Sequence, residues 1–385
     1  MRRELAVLLL LGLVSLTADV AYEGARSVSG PFLESLGAAP LMAAIVGSGE
    51  LLSYAMRFLG GYVAAAFMSS TVLWAIVIAG YAVNLVVVPL LAFAGQWEIA
   101  VALYLAERVG KGLRTPARET ILAEVSSSIG RGKGFGIHEV LDQVGAFAGP
   151  LAVSRALNAG GYSLAFLSLS LPAAASVGLV AAAALMYPKI KSVDRGSAPS
   201  AGLRGLPRRF WLYTASSSLL LAGYIHWSIA SMYIASEKLA SASDIALAYS
   251  VAMAVDALVA LPAGIMYDKL GLKSLTPAPL LVTLIPLFMF RSEISASLYV
   301  VGALWGVVMG LYETNMRAAV ADLVEPRDRS MAYGTFGLMT GASWSAGGFV
   351  FSSLLSRESS LLLYVALVEA LSLASLLWLA RSDER

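Results

Sequence analysis

LAVLLLLGLVSLTADVAYEGARSVS, residues 5–29, is an apolar run whose only charges, Asp19, Glu23 and Arg26, come toward its end. About 20 apolar residues coiled as a helix cross the ~30 Å hydrocarbon core of a bilayer. The basic start, Arg2-Arg3, also suits a cleaved leader, but no small-residue cleavage site follows and the helical pattern continues into Asp19 and Glu23. The run is therefore expected to be a permanent first span.

The rest of the chain repeats that signal. Of 385 residues 58% are hydrophobic and 14% charged, and the mean hydropathy is +0.75, so lipid is the expected solvent. Further spans are expected at Leu41 to Phe67, Val72 to Ala94, Glu98 to Val125, Gly134 to Ala156 and Tyr162 to Tyr187. A second set runs Phe210 to Ser236, Ser243 to Tyr267, Ser274 to Phe290, Ser295 to Leu323, Ser330 to Leu355 and Ser359 to Ala380. The basic, Pro/Gly/Ser-rich stretch 188–209 divides them, giving an N-terminal bundle 1–187 and a C-terminal bundle 210–385. Placing that stretch in the cytoplasm puts Arg2, Arg3, Arg131, Lys133, Lys269, Lys273, Arg327, Arg329, Arg381 and Arg385 on its side, and leaves Arg155, Lys238, Arg291 and Arg357 opposite. The expected fold is an all-α integral membrane protein of twelve helices in two six-helix bundles, in the cell membrane with both termini cytoplasmic. The halves echo each other at an offset of 198 residues: Gly112, Glu124, Arg131, Phe135, Gly136 and Gly149 fall on Gly310, Asp322, Arg329, Tyr333, Gly334 and Gly347. Such repeats are a common build of secondary transporters.

Composition also excludes. A net charge of +2 without a Lys/Arg block argues against nucleic acid as a partner. No cysteine and two histidines leave no thiol chemistry and little for a metal, and neither cofactor nor metal is expected. No nucleophile and base stand at usable spacing, which argues against an enzyme.

The informative residues are charges inside spans, each costing roughly 3 kcal/mol there unless partnered. Asp19, Glu23 and Arg26 lie at i, i+4 and i+7 with Tyr22 beside them, one face on which carboxylates and guanidinium can pair. The stripe is either a binding or proton-relay surface or a structural ion pair. On the fourth span Glu107, Lys111, Arg114 and Arg118 form a second stripe, with Arg108, Thr115 and Glu119 adjoining. Glu107 and Arg108 lie near mid-depth, whereas Arg114 and Arg118 are expected to snorkel toward one surface. On the fifth span His138, Asp142, Gly145 and Gly149 share a stripe, the glycines allow close helix approach, and Pro150 is expected to bend the helix. In the second half Gly302, Gly306 and Gly310 precede Glu313 and Arg317, a pair expected to close a cytoplasmic gate. Asp256 stands alone on a stripe with Ala252, Ala260 and Ala263. His226, mid-span in the seventh helix, reads either as a ligand or as a packed, hydrogen-bonded residue.

The loop Gly264-Ile-Met-Tyr-Asp268-Lys269-Leu-Gly271-Leu-Lys273 resembles the loop motif of the major facilitator superfamily. The Gly136–Pro150 spacing resembles the fifth-helix antiporter motif of that superfamily's drug and proton exchangers, and Arg108 with Gly112 its fourth-helix motif. Two departures stand out. The first-half copy of the loop motif, Gly61 to Ser70, lacks its Asp and basic residues, and Val153-Ser154 replaces the Gly-Gly expected at the end of the antiporter motif. The resemblance implies a monomeric, proton-coupled prokaryotic exporter of small molecules working by alternating access. Asp19, Tyr22, Glu23, Arg26, Glu107, Arg108, His138, Asp142, His226 and Asp256 would bind substrate or protons. Arg114, Arg118, Gly145, Gly149, Pro150, Asp268, Lys269, Glu313 and Arg317 would serve gating. Uptake by symport or uniport, and a non-transporting receptor with a carrier-like body, are the alternatives.

Overall fold

The structure, a computed structural model, describes residues 2–67, 69–190, 205–291, 295–325 and 328–381, and all regular structure among them is helical. The helices are α1 (Arg2–Ser27), α2 (Ser29–Ser35), α3 (Pro40–Gly47), α4 (Gly49–Phe67), α5 (Ser70–Leu90), α6 (Trp97–Val125), α7 (Arg131–Ser168) and α8 (Ser170–Met186). They continue as α9 (Arg208–Gly223), α10 (Trp227–Ser236), α11 (Ala242–Leu270), α12 (Pro277–Met289), α13 (Ser295–Leu311), α14 (Arg317–Leu323), α15 (Arg329–Leu354) and α16 (Glu358–Arg381). Joined across short breaks, these make twelve membrane-crossing rods. The stretch Lys133–Met186 alone, 54 residues, would be about 80 Å long if straight, enough for two crossings.

The breaks differ from the expected span ends for identifiable reasons. The fifth and sixth spans run together in α7, and the turn between them is made by Gly160 and Gly161, the latter at φ 67° where only glycine is unstrained. Pro150 was the expected bend, yet the non-helical backbone of α7 lies at those two glycines instead. The seventh span is not one helix either: α9 stops at Gly223 and α10 starts at Trp227, with His226 as its N-cap. A π-helical turn, Tyr312–Met316, separates α13 from α14 and carries Glu313. The middle of the basic stretch, 191–204, lies outside the described residues, as do the side chains of Ala65 and Ala66 in the degenerate loop motif.

By contacts the chain divides into two units. Unit 1 is Met1–Val28 with Leu52–Ser197, and its helices approach through glycines: Gly145 and Gly149 lay α7 on the α1 backbone, Gly80 lets α5 meet α6 at Arg114, and Gly112 faces Ser53 of α4. Unit 2 is Ser29–Leu51 with Ala198–Arg385. There Gly302 and Gly306 of α13 sit against the carbonyls of Ala248 and Ala252 on α11, and Gly347 of α15 against Ala222 on α9. The 198-residue echo is visible in these contacts, since Gly149 meets Gly24, the counterpart of Ala222. Ser29–Leu51 packs within unit 2: Gly30 abuts the backbone of Ser228 and Met232, and Ser228 Oγ donates to Ala43 O at 2.8 Å.

Candidate functional site

In unit 1 the close seating of α7 on α1 brings acidic groups together. A Cβ at Gly145 would stand 2.9 Å from Asp19 Cβ, so the absence of one lets Asp19 reach Asp142, one turn earlier on α7. The two carboxyls are hydrogen-bonded to each other, and Asp142 also accepts from Ser15 Oγ. Arg118 Nη1 lies 3.4 Å from Ser15 Oγ and its charge acts on Asp142. His138, a turn before Asp142, is buried, and its Nε2 has no hydrogen-bond partner among the described residues. Asp19 thus reaches across to α7, and along α1 Glu23 and Arg26 form an ion pair at 3.1 Å.

A second group of charges surrounds Tyr22. Its ring has Lys111 Nζ at 4.2 Å and Arg108 Cζ at 5.9 Å from its centroid, and its hydroxyl bonds Asp19. Arg108 Nε bonds Glu107 Oε2 at 2.8 Å, both residues being buried. Lys111 interacts electrostatically with Asp19 and Glu23. Arg114 does not snorkel. It is 1% exposed, its guanidinium lies 3.8 Å over the Tyr81 ring, and its Nε and Nη1 have no hydrogen-bond partner among the described residues. Gly80 supplies the room that keeps it inside. Arg118, half-buried with Nε also unpartnered, belongs to the same interior. In all, α1, α5, α6 and α7 enclose four carboxyls and five cations around two tyrosines.

Unit 2 is less charged. Asp256 is buried at the α11–α13 contact, with Oδ1 3.0 Å from where a Gly310 Cβ would stand, and it is partnered, contrary to the expectation that it stands alone. His226 stacks on Trp344 at 4.2 Å, its Nε2 is 3.2 Å from Trp344 O, and Gly47 and Gly348 close on its ring, the packed arrangement of the two readings. Glu313 is partnered, while the side chain of Arg317 lies outside the described residues, so the expected gate pair falls there too. Among the described residues no three His, Asp or Glu side chains gather as metal ligands would.

Comparisons agree with this architecture. The family model described as Major Facilitator Superfamily matches residues 212–385. An uncharacterized protein of Mycobacterium tuberculosis is 39% identical over 374 residues, 95% of this chain and 90% of that one. An uncharacterized MFS-type transporter of Methanocaldococcus jannaschii is 29% identical over 378 residues, 92% of this chain and 93% of that one. Residues 212–385 thus match the Major Facilitator Superfamily, and most of the chain is similar to an MFS-type transporter. The chain's fold is also that of the solved nucleoside transporter NupG (TM-score 0.76, 18% identity, 97% of this chain and 99% of that one). A solved peptide transporter, POT, in complex with alafosfalin is similar too (TM-score 0.73, 15% identity, 98% and 94%). The chain therefore shares the all-α fold of solved membrane transporters.

The superfamily loop motif ends α11. Asp268 and Lys269 are exposed, and the ordered groups near them are neighbours: Tyr267 Oη donates to Asp322 Oδ2 at 2.9 Å, and Gly271 closes the helix at φ 55°. At the end of the antiporter-like spacing Val153 is fully buried, with Cγ2 3.2 Å from the place of a Gly24 Cβ, so the valine fills the α1–α7 contact. Several members of the unit 1 cluster were not among the expected site residues. Ser15 and Tyr81 carry no charge to flag them, and Lys111 was seen only as part of a stripe. An aromatic group at the α9–α10 break was also missed: Trp344 Nε1 and Trp305 Nε1 donate to the carbonyls of Tyr224 and Ile225 at 2.6 and 3.0 Å. Both tryptophans read as ordinary apolar residues in sequence.

Proposed function

We propose that this transporter is a proton-coupled exporter of small molecules and that the Asp19–Asp142 pair is its proton-binding site. One observation carries the reading: two carboxyls bonded to each other, Asp19 buried and Asp142 half-buried, cannot both be ionised, so the pair retains a proton that it can release only when its surroundings change. Arg118 and His138 stand where they can compensate the second negative charge once the proton leaves. Tyr22, with Lys111 and Arg108 against its ring, supplies aromatic and polar contacts for a substrate next to the proton site. Coupling then follows from proximity, because a substrate that displaces Lys111 or Tyr22 changes the field on Asp19. In this reading the chain works as a monomer by alternating access of the bundles 1–187 and 210–385, in the cell membrane with both termini cytoplasmic, and it is not an enzyme.

The test starts with compounds that raise the unfolding temperature of the purified protein, since a ligand at 100 times its Kd adds ~2.7 kcal/mol to the native state. Each hit is then presented to reconstituted vesicles holding an imposed pH gradient and a trapped pH dye. Collapse of the gradient with the wild-type chain, lost in Asp142→Asn, is expected. Transport of a hit that leaves the gradient untouched would remove proton coupling. Import by symport is the second reading, and the departure at Val153-Ser154 from the exporter motif favours it. The sign of the pH change distinguishes the two.

A further inference from the structure

Glu369 lies in the middle of α16, eleven or more residues from Glu358 and Arg381 at its ends, and was not among the expected site residues. It is 2% exposed, and neither carboxyl oxygen has a hydrogen-bond partner among the described residues. A carboxylate there would lack both water and a donor, an arrangement that costs several kcal/mol for an ion in an apolar interior. The place is nevertheless shaped for the group. It abuts Gly223, the last residue of α9, where a Cβ would meet Oε1 directly and stand 3.0 Å from Cδ.

The end of α9 is a collection of carbonyls that need donors, with the negative end of the helix dipole among them. Every partner found for them is a donor: Tyr364 Oη to Ala222 O at 2.9 Å, the Tyr224 amide to Leu221 O, and Trp344 Nε1 to Tyr224 O. Toward the start of α9 the seam with α16 is held by hydroxyls, Ser372 Oγ to Ser216 O at 3.1 Å and Ser216 with Ser375. Among the described residues no compensating cation faces Glu369. Arg208 and Arg209 of α9, Lys273 before α12 and Arg329 of α15 do not act on it, α12 carries no titratable residue, and Tyr364 is the titratable group that interacts with it.

We propose that Glu369 is a proton-binding site of unit 2, separate from the Asp19–Asp142 pair: it is a neutral acid at physiological pH and donates to a carbonyl at the end of α9. Loss of the proton would set an anion against the negative end of α9 and loosen the α9–α16 seam. The inference does not depend on proton-coupled transport, and its test uses none.

Infrared spectra of the full chain in detergent, wild type against Glu369→Gln at neutral pH, should show a protonated-carboxyl C=O band in the wild type that the variant lacks. Thermal unfolding should give the variant the wild-type midpoint at neutral pH, because a neutral amide replaces a neutral acid. In strongly alkaline buffer the wild-type midpoint should fall below that of the variant. No band difference overturns the proposal, as does an equal alkaline fall in both proteins. A variant that unfolds early or fails to fold at neutral pH overturns it too, since the neutral isostere must then be unable to stand in for the native group.

Discussion

Gly145→Ala and Gly136→Ala are the same chemical change on one helix, and the structure gives them opposite consequences. A Cβ at Gly145 would lie 3.0 Å from the backbone carbonyl carbon of Leu16 and 2.9 Å from Asp19 Cβ. Carbon pairs rest at ~3.5–4.0 Å, so α7 must withdraw from α1 by about 0.5 Å or more. Backbone cannot rotate out of the way as a side chain does. The expected cost is that of overpacking a tight contact, ~1–3 kcal/mol. The same withdrawal lengthens the Asp19–Asp142 bond one turn away, so proton-coupled flux should fall further than stability alone requires. At Gly136 nothing lies within 4 Å of the added methyl, and the gain in helix propensity is ~0.5–1 kcal/mol. Unfolding of both variants followed by circular dichroism in one detergent should rank Gly136→Ala at or above wild type and Gly145→Ala clearly below. If Gly145→Ala unfolds with the wild type, or Gly136→Ala falls as far as Gly145→Ala, the glycine-mediated seating of α7 is wrong.

Arg114→Lys should destabilise by about 1–2 kcal/mol, because an ammonium cannot stack its plane on Tyr81 as the guanidinium does at 3.8 Å; chemical unfolding measures it, and a neutral result would return Arg114 to the surface. Asp19→Asn should abolish pH-gradient collapse in vesicles while leaving substrate counterflow measurable, since a pair with one carboxyl need not share a proton. The chain has no native cysteine, so Ser228→Cys is a clean label site. It should resist a thiol reagent in the wild-type background and react once Gly30→Ala forces Ser29–Leu51 off α10; equal labelling in both would refute that contact.

Periodicity and charge made the twelve rods legible, because each crossing must satisfy its own backbone and therefore carries its signal locally. The breaks were less so. Pro150 looks like the stronger helix breaker, but its missing donor is tolerated inside α7, whereas Gly161 takes a positive φ that other residues resist. For the site, spacing gave the stripe to which Asp19 and Asp142 each belong but not their meeting, which depends on the facing of α1 and α7. The glycines at 145 and 149 were the usable hint. Arg114 was misplaced because depth was read along its own helix, while the room it occupies is set by Gly80 on another. Glu369 was passed over because one acid in the apolar middle of α16 leaves no pattern.

The assignment of Ser29–Leu51 to unit 2 bears on how members of this family could exchange parts. A chimera joined at the basic stretch would inherit that segment from one parent and its receptors, α10 and α15, from the other. Ser228 with Ala43, and His226 with Gly47 and Gly348, would then be mismatched pairs. Recombination between relatives should therefore succeed when residues 29–51 travel with the C-terminal half, which makes the inherited module discontinuous in the gene.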